Sequence, residues 1–327
     1  MDESAGTFRQ RQEPHARPGV GGRRALAVRG GALGDFILTL PSLRSLRDAG
    51  YEVELLTRPA YGRLAVEAGL VSGWRALDSP DAAFLTVRNA EIPVEWRDWF
   101  LTFDVVVSWV PDLDGTFQEQ VAVSGAGTFY QGDWRCSGSG PASLQLALAV
   151  GFTNSRIHAI QDLFAVEDLR ECLPQQLVGL HPGSGSPTKN WAWERWLEVM
   201  IHLQDGHPQI SWLIITGETE EAHLPEIAAA LDRAGLPWES AVGLDLTTLS
   251  RRLRSCRAFL GHDSGISHLA AACGVVCRLL FGPTDPAVWA PLGDAVRVLR
   301  PAVPDMKCLG AGEVIDWLKH EPILLTE

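Results

Sequence analysis

Short apolar runs alternate with longer amphipathic segments, and this alternation most constrains what the chain can fold into. In the first half, the predicted strands are ALAVRG, YEVELLTRP and FDVVVSWV. The alternation resumes after a polar middle with the predicted strands LVGLHPG, SWLIITG, RAFLGHDSG and VCRLLFGPT. Apolar strands that alternate with helical segments indicate βαβ units and a parallel sheet. The sequence therefore predicts two doubly wound α/β domains.

The 327 residues are enough for two domains of ordinary size. The polar stretch EDLRECLPQQ (167–176) marks the predicted boundary, which gives an N-terminal domain of residues 24–170 and a C-terminal domain of residues 171–327. Residues 1–23 are rich in Gly, Pro, Gln and Arg and have no apolar run typical of a secretory signal. This composition predicts a disordered leader.

The composition excludes several classes of protein. A formal net charge of −12 argues against a nucleic-acid-binding protein, since such proteins cluster Lys and Arg. The apolar runs are far shorter than the roughly 20 residues of a membrane-spanning helix. Six cysteines occur without CxxC pairs, and Cys273 and Cys277 have no second ligand pair for a metal. We expect reduced thiols in a cytoplasmic protein, and a peripheral contact with the inner face of the membrane stays open.

The helical segments carry a second set of expectations. Helices are predicted over about 193–204 and 219–234, and the pattern leaves open which half the last helix, 311–321, packs on. Residues 108–143 mix Gly, Ser and aromatic residues without a period, which predicts a loop that shapes a substrate site. The DLD sequence at 112–114 fits an Asp-x-Asp metal clamp, but two carboxylates so spaced are common in turns.

The stretch RGGALGDFILTLP (29–41) places a glycine-rich turn between the first strand and the first helix. A dinucleotide-binding turn has the spacing GxGxxG and an acidic residue at the end of the second strand. Here the spacing is GGxxGD, and the second strand ends in Thr57 and Arg58. The pattern therefore disfavours a dinucleotide and leaves Asp35 as either a helix cap or a catalytic carboxylate.

Three loops of the second half each follow a predicted strand. Open α/β sheets bind ligands beyond the carboxyl ends of their strands, so we expect these loops to converge. They are HPGSGSPTKNW (181–191), TGETEE (216–221) and GHDSGISHLAAACG (261–274). The first combines glycines and hydroxyl groups with Lys189 just before a helix, which suits a pyrophosphate group.

The third of these loops places Asp263, Ser264 and Gly265 at a predicted helix start. Backbone N–H groups at such a start can donate to phosphate oxygens. His268 follows a little more than one turn inside the same helix. Taken alone, a histidine there is as readily a buried core residue as a ligand-binding one.

Together these stretches resemble glycosyltransferase family 9, the heptosyltransferases that build the inner core of lipopolysaccharide. The matching stretches are GALGDFILTLPSLRSLR, LHPGSGSPTKNWAWERW and HDSGISHLAAACGVVCRLLFGPTDPAVWAPLG. The resemblance runs from about residue 24 to the end and is weakest through 110–145. It implies a GT-B fold, in which two Rossmann-like domains face each other across a cleft and the C-terminal domain holds most of the sugar nucleotide.

The resemblance also implies a role for individual residues. Asp35 is the expected general base on the acceptor hydroxyl, and Gly34, Arg58 and Arg63 are expected on the acceptor side. Solvated surface arginines are the alternative for the last two. Glu221 is expected at the ribose, with Glu220 as the alternative. The residues expected to bind the donor are Ser184, Thr188, Lys189, Glu221, Asp263, Ser264, Gly265 and His268.

The implied reaction is an inverting glycosyl transfer without a metal or a cofactor, with ADP-heptose as the default donor and a monomer as the default state. The acceptor is a glycan or a lipid-linked glycan, as in lipopolysaccharide core synthesis. Residues 110–145 lack the basic, His-containing segment expected of such an enzyme, so the acceptor stays open. The alternatives are a non-catalytic module that binds nucleotide sugars, an NAD-dependent oxidoreductase and a sugar-nucleotide epimerase.

Overall fold

A computed structural model describes residues 22–136, 138–148, 151, 176–217 and 221–323. The first half forms a parallel sheet in the order β3-β2-β1-β4-β5. Its strands are β1 (Arg23–Arg29), β2 (Tyr51–Thr57), β3 (Gly73–Ala76), β4 (Val105–Ser108) and β5 (Thr128–Gln131). Its helices are α1 (Leu33–Asp48), α2 (Pro59–Glu67), α3 (Val94–Phe100), α4 (Thr116–Val123) and α5 (Ala142–Leu148).

The second half forms another parallel sheet in the order β11-β10-β9-β6-β7-β8. Its strands are β6 (Gln176–Leu180), β7 (Ile210–Thr216), β8 (Trp238–Val242), β9 (Ala258–His262), β10 (Val276–Leu280) and β11 (Val296–Leu299). Its helices are α6 (Trp193–Gly206), α7 (Leu224–Ala234), α8 (Leu246–Arg254), α9 (Gly265–Ala272), α10 (Pro286–Trp289) and α11 (Ala311–His320). The prediction of two doubly wound α/β sheets is confirmed.

The inner strands are apolar because both faces of each sheet are covered. In β1, Ala25 and Ala27 belong to one buried cluster, and Leu26 and Val28 belong to another on the opposite face. Side chains alternate across a strand, so a strand buried on both sides reads as a continuous apolar run. Because both faces of the inner strands are buried, the polar residues that can meet a ligand lie beyond the strand ends.

The strand order reverses once in each sheet, between β1 and β4 and between β6 and β9. Neighbouring strands diverge beyond their carboxyl ends at such a point and leave a crevice there. Arg29 and Ser108 end the two strands at the first crevice, and Leu180 and His262 end those at the second. All three loops singled out in the C-terminal half follow strands of the second sheet.

The prediction that residues 108–143 form a loop is wrong, because this stretch contains α4 and β5. The Asp112 carboxylate accepts hydrogen bonds from the backbone N–H groups of Phe117 (3.0 Å) and Gln118 (2.9 Å). Asp114 accepts from the backbone N–H of Thr116 at 3.2 Å. These carboxylates therefore cap the start of α4, and the sequence DLD is a helix start rather than a metal clamp.

Three other predictions need adjustment or stay open. The helix predicted from residue 219 begins later, with a 3-10 turn at Glu221–His223 followed by α7, whose first turn contains Pro225. The last helix, α11, packs on α6 and thus on the C-terminal half. The predicted leader lies outside the described residues through 21, and β1 begins at Arg23. The boundary stretch lies outside them through 175, so the domain limits stay predictions.

The two halves touch along two pairs of helices. Helix α1 packs against α9, and α2 packs against α8. The second contact includes an ion pair between Arg251 Nε and Glu67 Oε1 at 2.8 Å. Within the described part of the chain, no helix combines the length and the apolar character needed to cross a membrane.

Candidate functional site

The first turns of α1 and α9 meet at two glycines, Gly34 and Gly265. A Cβ atom added to Gly265 would lie 2.9 Å from the backbone nitrogen of Gly34 and 2.8 Å from Cβ of Leu33. A Cβ atom added to Gly34 would lie 3.4 Å from Cδ2 of His268. This approach requires glycine on the α9 side, and it places Asp35 of α1 next to the predicted donor residues of α9.

Asp35 is the third residue of α1, and its carboxylate has two partners. Oδ2 accepts a hydrogen bond from the backbone N–H of Ala32 at 3.2 Å, which satisfies one free donor at the helix start. Oδ1 forms an ion pair with Arg29 Nη2 at 3.6 Å. The side chain is 39% exposed, so the carboxylate caps the helix and is still accessible from the gap between the domains.

On the opposite side of the gap, one carboxylate joins two of the predicted loops. Asp263 follows β9, and its Oδ2 accepts a hydrogen bond from Lys189 Nζ at 2.6 Å and another from Thr284 Oγ1 at 2.7 Å. Asp263 is 9% exposed, whereas the Lys189 side chain is 27% exposed. The structure thus brings Lys189 and Asp263 together as predicted, and Thr284 joins them from the FGPTDP turn.

The pKa of His268 is influenced by both carboxylates, Asp35 and Asp263. The ring is buried, and its Nδ1 has no hydrogen-bond partner among the described residues. Burial lowers the pKa of His268 from 6.5 to about 4, with Asp263 and Asp35 opposing the shift and Lys189 adding to it. His268 is therefore neutral at pH 7, and its buried Nδ1 is a polar atom whose hydrogen-bonding capacity is unused within the described residues.

The loop before α6 is held by its own side chains. Ser184 Oγ lies 2.8 Å from the carbonyl oxygen of Ser186 and 2.6 Å from Oδ1 of Asn190. Thr188 is exposed, and its Oγ1 lies 3.0 Å from Oγ of Ser186. Ser184 thus shapes the loop from inside, and Thr188 is the hydroxyl group accessible from solvent.

A series of hydrogen bonds between polar groups holds the start of α9 in place. Ser264 accepts a hydrogen bond from the backbone N–H of Ser267 at 3.2 Å and lies 3.3 Å from Nδ1 of His181. Ser267 in turn donates from its hydroxyl group to the backbone carbonyl of His262. Ser264 is therefore a helix cap whose side chain is already engaged, which leaves the backbone N–H groups of the first turn for an anion.

The remaining predicted residues are spread more widely. Glu221 is exposed just beyond β7, and the alternative, Glu220, lies outside the described residues. The Tyr61 backbone N–H donates to the Arg58 carbonyl at 3.0 Å, and the Tyr61 hydroxyl donates to the Gly31 carbonyl at 3.2 Å, so Arg58 is linked to the glycine turn. Arg63 instead lines a groove of about 570 Å³ between α2 and α8, together with Val66, Glu67, Trp74, Asp245 and Thr247.

The end of β2 shows why a dinucleotide does not fit the first domain. Thr57 is buried, and its hydroxyl donates to the backbone carbonyl of Arg29 at 2.6 Å. The position where a dinucleotide-binding domain presents a carboxylate to the ribose is thus closed by a hydrogen bond between strands. Arg58, the next residue, is exposed and adds a positive charge.

The described residues contain no group of three or more His, Cys, Asp and Glu side chains that could hold a metal ion. Cys273 and Cys277 are both buried in the core beside α9, as expected for small apolar side chains. Burial raises the pKa of Cys273 to about 12, so the thiol stays protonated.

Four residues of the site were not predicted from the sequence: Arg29, Tyr61, His181 and Thr284. Arg29 ends β1 and His181 directly follows β6, and a polar residue at the end of the apolar run of a central strand is itself a signal. Tyr61 stacks on Phe36 at 4.7 Å, and nothing in its spacing distinguishes it from a core aromatic residue. Thr284 lies between β10 and α10, where nothing in the sequence distinguishes it from an ordinary turn residue.

The family model described as glycosyltransferase family 9 (heptosyltransferase) matches residues 144–318. Lipopolysaccharide heptosyltransferase 1 of Pseudomonas aeruginosa is 26% identical over 326 residues, which is 88% of this chain and 86% of the relative. Lipopolysaccharide heptosyltransferase 2 of Escherichia coli K12 is 29% identical over 128 residues. That alignment covers 38% of this chain and only 36% of the relative.

Solved structures show the same fold. The E. coli ADP-heptose lipopolysaccharide heptosyltransferase II superposes with a TM-score of 0.74 at 14% identity, over 91% of this chain and 98% of the other. The iron-containing dodecameric glycosyltransferase TibC of enterotoxigenic E. coli H10407 gives a TM-score of 0.54 at 15% identity, over 86% and 64%. The predicted GT-B fold of two Rossmann-like domains is confirmed.

Proposed function

The chain belongs to glycosyltransferase family 9, and we propose that it transfers heptose from ADP-heptose to a glycan or lipid-linked acceptor of the lipopolysaccharide core. The donor is proposed from two relatives: one is named a lipopolysaccharide heptosyltransferase, and the other is described as acting with ADP-heptose. The proposed transfer inverts the anomeric carbon and requires no divalent metal. It takes place on the cytoplasmic side of the membrane, with the protein as a monomer.

One observation carries this proposal. The contact between Gly34 and Gly265 brings the accessible carboxylate of Asp35 beside the start of α9. There the buried Asp263 forms an ion pair with the partly exposed Lys189. A glycosyl transfer with inversion needs a base on one side of the anomeric carbon and anion-binding groups on the other. The two sides of the gap supply these two kinds of group.

Asp35 accepts the proton of the acceptor hydroxyl as the oxygen attacks the anomeric carbon. Its accessibility suits this role, and its contact with the Ala32 N–H fixes the carboxylate at the helix start. Arg58, linked to the glycine turn through Tyr61, is the cation that we propose for contact with an anionic acceptor. Arg63, in the groove between α2 and α8, would contact only a more extended acceptor.

Negative charge grows on the diphosphate as the bond to the sugar breaks. Groups that bind the diphosphate more strongly in the transition state lower the barrier to the reaction, whereas groups that bind the ground state and the transition state equally do not. Lys189, Thr188 and the backbone N–H groups at the start of α9 are proposed to do so, with Ser184 holding the loop in shape. The neutral His268 is proposed to bind the sugar, and Glu221 to bind the ribose.

The first test is calorimetric titration of ADP, UDP, GDP and a nicotinamide dinucleotide into the protein. Each titration is done with EDTA and with added ferrous iron, because one solved structural relative is iron-containing. We expect tight binding of ADP that survives EDTA. Binding of the dinucleotide alone would support an oxidoreductase, and binding only with a metal would contradict the proposed metal independence.

The second test separates the base from the donor site. Asp35→Asn retains an oxygen for the Ala32 N–H, and it should lower kcat by about 10²–10⁴-fold while the Kd of ADP stays the same. Asp48→Asn, an exposed carboxylate at the other end of α1, is the matched control and should be fully active. NMR of the product should show the anomeric configuration opposite to that of the donor.

Two outcomes would favour other functions. A protein that binds ADP-heptose yet transfers nothing to a heptose-free lipopolysaccharide core acceptor would be a nucleotide-sugar-binding module. Conversion of the donor to a free, modified sugar without an acceptor would identify an epimerase. Substantial transfer by Asp35→Asn would remove Asp35 from the role of base.

A further inference from the structure

Arg29 is a buried cation at the carboxyl end of the central strand of the first sheet. It is 5% exposed, and burial lowers the pKa of its guanidinium from 12.5 although Asp35 opposes this shift. Burying a guanidinium costs several kcal/mol unless it is paired and hydrogen-bonded. The chain tolerates this cost at the crevice between β1 and β4, which is the point where a ligand site is expected.

The three nitrogens of Arg29 are all engaged, and two of them hold the same residue. Nε donates to the backbone carbonyl of Asp35 at 3.3 Å, and Nη2 forms the 3.6 Å ion pair with the Asp35 carboxylate. Nη1 donates to the backbone carbonyl of Trp109 at 2.9 Å, just beyond β4. Arg29 thus ties both the main chain and the side chain of Asp35 to the end of the neighbouring strand.

The other titratable groups that act on Asp35 carry no charge near neutral pH. They come from three different elements: Tyr61 from α2, Cys136 from the segment before α5, and His268 from α9. Burial raises the pKa of Tyr61 above 10 and that of Cys136 to about 11, and it lowers the pKa of His268 to about 4. Among the described groups known to interact with Asp35, Arg29 is therefore the charged one between pH 5 and 9.

We propose that Arg29 is the positioning residue of the reaction: it holds the Asp35 carboxylate in place through the ion pair and through its hydrogen bond to the Asp35 main chain. The inference rests on the proposed role of Asp35 as the base. Arg29 is buried and its three nitrogens are engaged by Asp35 and Trp109, so its effect reaches the reaction through Asp35.

The experiment compares Arg29→Met, which removes the charge but keeps an unbranched side chain, with Arg29→Lys, which keeps the charge. Arg278→Met is the matched control. Arg278 is also buried and bound to carbonyl oxygens, those of Glu321 and Pro322, but it lies in the C-terminal half. The measurements are kcat and KM for the donor as a function of pH, at a temperature where each variant is folded.

We expect Arg29→Met to lower kcat by about 10²-fold with KM for the donor nearly unchanged, and to move the acidic limb of the kcat profile to higher pH because the Arg29–Asp35 ion pair is lost. Arg29→Lys should restore the position of the acidic limb. Arg278→Met should lower the melting temperature without moving the limb. Where Arg29→Met is too unstable to assay, Arg29→Gln, which keeps a donor for the Trp109 carbonyl, carries the same expectation.

A second measurement is independent of transfer. NMR titration of ¹³C-labelled aspartate carboxyls, with the Asp35 signal assigned from Asp35→Asn, should show a higher titration midpoint in Arg29→Met than in the wild type. If this shift appears but the wild type transfers no heptose, the proposed function fails and the Arg29–Asp35 coupling stands. If transfer occurs and neither the acidic limb nor the NMR midpoint moves, the inference is overturned.

Discussion

Gly34 and Gly265 bring the backbones of the two domains into contact at the point where the proposed base faces the donor site. A Cβ atom on Gly265 would lie under 3 Å from both Leu33 and the nitrogen of Gly34, which is too close for any real contact. We therefore expect Gly265→Ala to push α1 away from α9.

The change should lower kcat about 10²-fold, since a displacement of roughly 1 Å at a reacting pair has effects of this size. Steady-state kinetics and the radius of gyration check it. Gly312→Ala is the control, because a Cβ atom on this helical glycine meets nothing within 4 Å. Wild-type activity in Gly265→Ala would show that the two domains work at a wider separation.

Lys189→Met tests the anion site of the second domain. The variant removes the charged partner of Asp263 and the cation proposed for the diphosphate. A charge-assisted hydrogen bond contributes about 1.5–3 kcal/mol, so the Kd of ADP should rise by tenfold or more. Calorimetry measures it, with Lys319→Met, an exposed lysine on α11, as the matched control. Unchanged ADP affinity would place the diphosphate elsewhere.

His268 should make the stability of the protein depend on pH in acid. Its pKa in the folded state, about 4, lies below the unfolded value of 6.5, so the unfolded chain binds the proton first as the pH falls. The stabilisation is complete above about pH 6.5 and is lost as the pH falls towards 4. Between pH 7 and 5 the loss should be about 2 kcal/mol.

Urea unfolding of the wild type and of His268→Gln measures this contribution. The variant should lose the part of the pH dependence that His268 causes, whereas His320→Gln, at an exposed position, should behave as the wild type. Equal slopes in the wild type and His268→Gln between pH 7 and 5 would mean that the folded protein binds a proton at His268 as readily as the unfolded chain does.

Thiol labelling should distinguish Cys308 from the other described cysteines. Cys308 is exposed, whereas Cys136, Cys256, Cys273 and Cys277 are buried with raised pKa values. Reactivity follows the thiolate, so at pH 8 the fast phase should map to Cys308 and disappear in Cys308→Ser. Cys172, which lies outside the described residues, is replaced by serine in both proteins. A fast phase that persists without Cys308 would show that the core opens readily.

The sequence predicted seven strands, and these are the inner strands of the two sheets. The four strands it missed, β3, β5, β8 and β11, are the four edges. An inner strand is covered on both faces and reads as an apolar run, whereas an edge strand such as TFYQ (128–131) is short and partly exposed. The same effect hid β5 in the stretch predicted as a loop.

A site residue could be predicted where its role follows from its place after a strand. It could not be predicted where its role follows from contact with a residue elsewhere in the fold. Asp35, Lys189 and Asp263 follow strands, and the family resemblance named them. Arg29 and Thr284 act through partners that are 6 and 21 residues distant in the sequence, and only the folded chain shows which carboxylate each one meets. No spacing rule could have placed Arg63 in the groove between α2 and α8.

The abutting starts of α1 and α9 have a kinetic consequence for a chain with a net charge of −12. At long range the protein repels a nucleoside diphosphate, and the partial positive charges of the two helix starts act only over a few ångströms. Raising the ionic strength should therefore speed the encounter with the donor, the reverse of electrostatic steering. Capture of the donor then depends on its entry into the gap rather than on attraction from the bulk solution.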